Sequence, residues 1–137
     1  MLDNRKELRK SKIQARNSLS QEDRERLSAI ISERIATSEV FQRASTVMIY
    51  RATKGEVRLD ALEKAEEAAG KRLVYPLCIS DSEMISLLPE DENAWKPGYF
   101  GIMEPVREKS EEISPEEIDL VICPCTVFDE NCGRMGM

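Results

Sequence analysis

Three short apolar segments limit what this chain can fold into: TVMIY at 46–50, RLVYPLC at 72–78 and IDLVICP at 118–124. TVMIY is β-branched and nearly all apolar, and the other two are interrupted by few polar residues. Runs of this length and character suit strands covered on both faces, as in a parallel sheet. Between and before them the apolar spacing changes to three and four residues, the helical period. Strands alternating with helices give an α/β layer fold with a mainly parallel sheet. At 137 residues the chain is one domain by length.

The helical segments carry their own start and stop signals. Residues 4–18 read as a helix with a weak apolar side formed by Leu8, Ala15 and Leu19. Ser20-Gln21-Glu22-Asp23 looks like a capping box for a second helix reaching Ala36, with Leu27, Ile30, Ile31 and Ile35 as its buried face. Ser38 caps a short turn through Val40 and Phe41. Residues 58–69 return to helical spacing through Leu59, Leu62, Ala65 and Ala69, with Gly70 placed as a C-cap. EMISLLP at 83–89 reads as a further strand, suited to an antiparallel edge. Residues 90–117 are the least regular stretch, and a loop this long in a small domain usually serves or covers a site.

Charge is unevenly placed. The net charge is −6, yet residues 1–19 hold six Lys/Arg against Asp3 and Glu7. An acidic body excludes a broad nucleic-acid surface, while the basic first segment suits one local anion. No apolar run approaches the ~18 residues of a membrane span, and the charged N-terminus has no signal-peptide core. A cytoplasmic location is the default expectation, with neither membrane nor nucleic acid as partner.

Four groups of residues could carry chemistry. Arg5, Arg9, Lys12 and Arg16 form a stripe along the first helix, either a solvated face or a clamp for a polyphosphate. Glu56 follows the first strand, where it is either a helix-start acid or an acceptor for a heterocycle's N–H groups. Gly133-Arg134-Met135-Gly136 follows the last strand, and a glycine-rich strand-end loop with an arginine suits phosphate. Cys123, Cys125 and Cys132 have C-x-C spacing and read better as strand-end thiols than as zinc ligands. The absence of histidine removes Ser-His-Asp and Cys-His mechanisms.

Taken in order, these pieces resemble one family. Arg5-Lys6-Glu7-Leu8-Arg9 is similar to its K-x-x-L-R helix, with Arg5 in place of lysine. Gly55-Glu56-Val57 is similar to its E-V/I segment. Trp95 with Phe100-Gly101-Ile102-Met103-Glu104-Pro105 resembles its W…F-G-I-x-E-P. Asp119-Leu120-Val121, Pro124, Phe128-Asp129 and Gly133-Arg134-Met135-Gly136 resemble D-L-V…P…F-D-x-x-G-x-R-L-G, read with one residue fewer between glycine and arginine. The family is 5-formyltetrahydrofolate cyclo-ligase, also called methenyltetrahydrofolate synthetase.

The resemblance implies a three-layer α/β/α domain like those of sugar-phosphate isomerases and CoA transferases. It implies closure of 5-formyltetrahydrofolate to 5,10-methenyltetrahydrofolate with ATP and Mg2+. By position, Arg5, Arg9, Arg134 and Gly136 would hold ATP phosphates. Arg51, Glu56 and Trp95 would contact the folate. It further implies that residues 1–137 are a single, incomplete domain stopping inside the family's nucleotide loop. The later elements and the Mg2+-binding aspartates would then be missing. Weak or absent turnover is expected, and the alternative is an inactive binding or self-associating module using an uncovered sheet or helix-docking surface.

Overall fold

The computed structural model describes residues 4–53, 55–98 and 101–136. Helix α1 spans Arg5–Asn17 and α2 spans Gln21–Ala36. The Ser20 side chain accepts from Asp23 N at 3.1 Å, so the predicted N-cap forms. Ser38 likewise caps the short α3, Glu39–Arg43.

The buried face of α2 differs from the expected one. Ser28, Ser32 and Ala36 are buried, whereas Leu27, Ile30 and Ile31 stay more than a third exposed. The two serines spend their hydroxyls on the backbone N–H and C=O of one residue, Arg58. Ser28 Oγ accepts from Arg58 N at 3.0 Å, and Ser32 Oγ donates to Arg58 O at 3.3 Å. Small polar residues let the 55–59 segment approach the helix closely, and its backbone bonds satisfy them.

Strands β1 (Thr46–Met48) and β2 (Arg72–Cys78) pair in parallel, and β7 (Leu120–Val121) joins β1 in parallel on its other side. Strand β3 (Met84–Pro89) runs antiparallel to β2, and β6 (Ser110–Ile113) antiparallel to β3. The order is β6-β3-β2-β1-β7. The α/β class is as expected. The sheet is mixed rather than mainly parallel, because residues 79–83 return the chain directly into β3, with Ile79 N bonding Glu83 O. β3 is therefore an internal strand and β6 the edge.

Alternation along β1 divides the core. Val47 and Ile49 face a cluster with Phe41, Leu59, Leu62 and Tyr75; Met48 joins Val74 and Ile113 in a second. Each fully buried aliphatic or aromatic side chain contributes about 1.5–3 kcal/mol. The expected helix over 58–69 is shorter. Helix α4 covers Asp60–Glu63, and a 3-10 turn follows at Glu66–Ala68. Ala65 is extended between them (ψ 146°), which brings Ala68 into the core. A continuous helix would also have set Glu63 against Glu67 one turn apart.

The irregular 90–117 stretch holds a hairpin of β4 (Trp95–Pro97) and β5 (Met103–Pro105), and then β6. Phe100 lies outside the described residues. The last strand is shorter than 118–124 and leads to a second hairpin, β8 (Val127–Phe128) with β9 (Arg134–Met135). No helix among the described residues is long and apolar enough to cross a membrane.

Candidate active site

The parallel strands β1 and β7 run the same way, so the segments after them share one rim. After β1 the chain forms a tight turn: Glu56 N bonds Thr53 O at 3.1 Å, and Glu56 Oε1 accepts from Thr53 N at 2.7 Å. Gly55 has φ +92°, and a Cβ there would stand 3.0 Å from Arg16 Nε and 3.1 Å from Asn17 Oδ1. Only glycine allows both this backbone and the approach of α1. Tyr50 Oη donates to Val57 O at 2.8 Å and closes the turn from the sheet side. Burial, then Glu56 and Cys125, push the Tyr50 hydroxyl up to about 12, so it stays a donor.

After β7, Arg134 Nη2 donates to Pro124 O at 2.8 Å. Asp129 Oδ1 accepts from Asn131 N and Gly133 N, both at 2.8 Å. Cys132 carries φ +66°, the left-handed conformation that glycine favours. The glycine-like position of this turn is therefore Cys132 and not Gly133. Read as F-D-x-x-C-x-R-M-G, the segment has the family spacing with cysteine for glycine, and no residue is missing. This corrects the register expected from Gly133.

Helix α1 joins the two segments. Arg9 Nε donates to Gly136 O at 2.9 Å, across 127 residues of chain, while Arg16 lies against Gly55. Arg9 thus meets Gly136, where a Cβ would stand 3.9 Å from Arg134 Nη2, and Arg5 lies one turn away at the exposed start of α1.

Arg51 and Trp95 form a separate group. The Arg51 guanidinium lies 4.0 Å from the Trp95 ring centroid and 5.5 Å from that of Tyr75. Tyr75 and Trp95 meet edge to face at 4.6 Å. Arg51 Nη2 bonds Glu63 Oε2 at 2.9 Å. Burial raises the Glu63 carboxyl above its usual range, with Arg51 opposing. Burial and the neighbouring Glu63 hold the Tyr75 hydroxyl protonated.

Three hollows follow one another along this side. One of about 330 Å³ is lined by Arg16, Tyr50, Glu56, Cys125 and Phe128, among mostly apolar neighbours. One of about 190 Å³ lies between Arg24, Thr53, Glu56 and Arg58. The widest, about 470 Å³, is lined by Arg51, Thr53, Arg58, Lys64 and Ile102. Glu56 belongs to the first two, and Thr53 and Arg58 to the last two. Sequence reasoning missed Arg58, Glu63 and the two α2 serines. Two serines one turn apart among the apolar residues of α2 were the available signal. Among the described residues no group of three or more carboxylates and thiols is placed to hold a metal ion.

The fold and the rim define an α/β structure with a strand-end candidate site bridged by helix α1. The chain belongs to the 5-formyltetrahydrofolate cyclo-ligase family, whose sequence model matches residues 2–137. The 5-formyltetrahydrofolate cyclo-ligase of Mus musculus is 26% identical over 141 residues, covering 94% of this chain and 66% of that protein. The solved structure of Aquifex aeolicus 5,10-methenyltetrahydrofolate synthetase superposes with a TM-score of 0.84 at 32% identity, covering 98% of this chain and 68% of that one. A 5,10-methenyltetrahydrofolate synthetase from Mycoplasma pneumoniae shares the fold, with a TM-score of 0.73 at 24% identity over 98% and 71% of the two chains. The chain thus spans less than two thirds of the mouse protein's length.

Proposed function

We propose that this chain binds ATP and 5-formyltetrahydrofolate along the strand-end rim and closes the folate to 5,10-methenyltetrahydrofolate. The γ-phosphoryl group passes to the formyl oxygen and ADP leaves. N10 attacks the activated carbon and loses its proton, and the formyl oxygen departs with phosphate. Such a reaction asks the protein for positioning and charge neutralisation rather than a nucleophile, which suits a chain without histidine.

The Arg9–Gly136 contact supports this reading most directly, because it sets the basic first helix against the loop that carries Arg134. Arg5, Arg9 and Arg134 would neutralise the phosphates, with the Gly136 main chain beside them. Glu56, already an acceptor for Thr53 N, would take N–H groups of the pterin. Arg51 and Trp95 would wall the folate side. Mg2+ belongs to the proposal through the family; among the described residues no group of three or more carboxylates or thiols is gathered to hold it.

The test is growth of the methenyl product's near-ultraviolet absorbance on adding ATP to the protein and 5-formyltetrahydrofolate. Turnover lost in Arg9→Met and Glu56→Ala supports the reading. Folate binding without turnover favours a binding module, and failure to bind either ligand overturns both.

Self-association is a second proposal. β7 ends the sheet with Val121 49% exposed, and Phe128 nearby in sequence is 78% exposed. An open, apolar strand edge invites a second copy. Sedimentation velocity should show a concentration-dependent species that Val121→Lys abolishes; a monomer at all concentrations refutes it.

A further inference from the structure

We propose that Arg24 is a positioning residue that sets the angle of α1 and so holds Arg9 and Arg16 at the rim. No residue of α1 is buried, so the hydrophobic core does not fix its direction. Arg24, on the next helix, reaches back to its end: Nη2 donates to Asn17 O at 2.9 Å and to Arg16 O at 3.3 Å. These are terminal carbonyls, at the negative end of the α1 dipole, where a cation is favoured. The same arginine stands near the start of its own helix, where that helix's dipole disfavours it. Its Nε is buried with no acceptor among the described residues. Arg24 therefore occupies a position that is costly for α2 and favourable only through α1.

The geometry makes the angle matter. Arg9 lies seven residues before Arg16, roughly 10 Å along the helix axis. A rotation of about 10° at the Arg24 end would displace Arg9 by nearly 2 Å, enough to break its 2.9 Å bond to Gly136 O. Gly55 is a second contact at this end of α1: its missing Cβ admits the Arg16 and Asn17 side chains. Arg24 and Gly55 thus both meet the last residues of the helix. As a role in ATP binding, this rests on the proposed function.

Two readouts separate the clamp from that function. Hydrogen exchange in the intact chain reports the clamp directly, since a 13-residue helix freed from its dock is marginal in water. In Arg24→Met, α1 amides should exchange about tenfold faster, while β1 and β2 amides keep their protection. The dissociation constant for ATP should rise about tenfold, and Arg24→Lys should recover part of both. Gly55→Ala should free the same amides through its own contact with Arg16 and Asn17. Unchanged α1 exchange in Arg24→Met overturns the proposal. Faster exchange with unchanged ATP affinity overturns the positioning role. Wild-type protein that binds no ATP refutes the proposed function instead, and the exchange comparison alone then decides the clamp.

Discussion

Arg51 lies over the face of Trp95, 4.0 Å from the ring centroid, while Nη2 of the same guanidinium bonds Glu63 at 2.9 Å. The side chains are only 26% and 17% exposed, so this pair is neither a surface ion pair nor a fully buried one. Arg51→Met keeps the stem and leaves Glu63 without its cation. A loss of about 2 kcal/mol in urea unfolding is expected, between the values for exposed and buried pairs. Adding Glu63→Gln should restore part of it. A double-mutant coupling near zero would show that the contacts act independently.

Cys132 holds a left-handed backbone, φ +66°, in the turn closed by Asp129. A side chain there costs energy that glycine does not. Cys132→Gly should raise stability by about 0.5–1 kcal/mol, after allowing for glycine's freer unfolded state. Thermal unfolding checks the sign, and a lower midpoint would show that the thiol makes a compensating contact.

Ser28 and Ser32 serve opposite ends of one residue's peptide groups and should not be equivalent. Ser28→Ala strands the Arg58 N–H beneath α2 and should cost about 1–2 kcal/mol. Ser32→Ala removes a longer bond to a carbonyl, at 3.3 Å, and should cost about 0.5–1 kcal/mol. Equal losses in denaturant unfolding would contradict this ranking.

Two carboxylates give stability opposite slopes with pH. Asp119 Oδ2 accepts from Ser45 N at 2.9 Å and Thr46 N at 3.0 Å. The Thr46 and then the Ser45 amide hold its carboxyl below the model-compound value of 3.8. Its contribution is present above that value and lost as pH falls through the folded one. Glu63 is raised above 4.5 by burial. Its contribution is present below 4.5 and lost as pH rises through the folded value. Asp119→Asn should therefore weaken the protein at neutral pH and flatten the loss in acid. Glu63→Gln should flatten the slope above 4.5. Unfolding midpoints measured from about pH 3 to 7 test both.

Ser20 and Ser38 made both helix starts legible, because a cap is a local bond between near neighbours. β1 and β2 were legible as apolar runs, since both their faces are covered. β6 was not: Ser-Glu-Glu-Ile buries only Ile113, and an edge strand needs no apolar run. The face of α2 was misread for a related reason. Isoleucines suggest burial, yet close approach to Arg58 required serines, and that partner lies 26 to 30 residues away. Of the candidate residues named by type and order, the structure places Arg9 against Gly136, Glu56 in the turn after β1 and Trp95 under Arg51. Arg24 and Glu63 act through distant partners and left no local sign.

The centre of the sheet has a consequence for synthesis. β1 gains β2 once residues near 74 are made, but its other neighbour begins only at Leu120. The two amides that Asp119 secures belong to residues 73 and 74 positions earlier. A nascent chain must therefore carry a half-paired central strand while residues 75–119 are made. Its window for mispairing on the ribosome closes only when β7 has emerged.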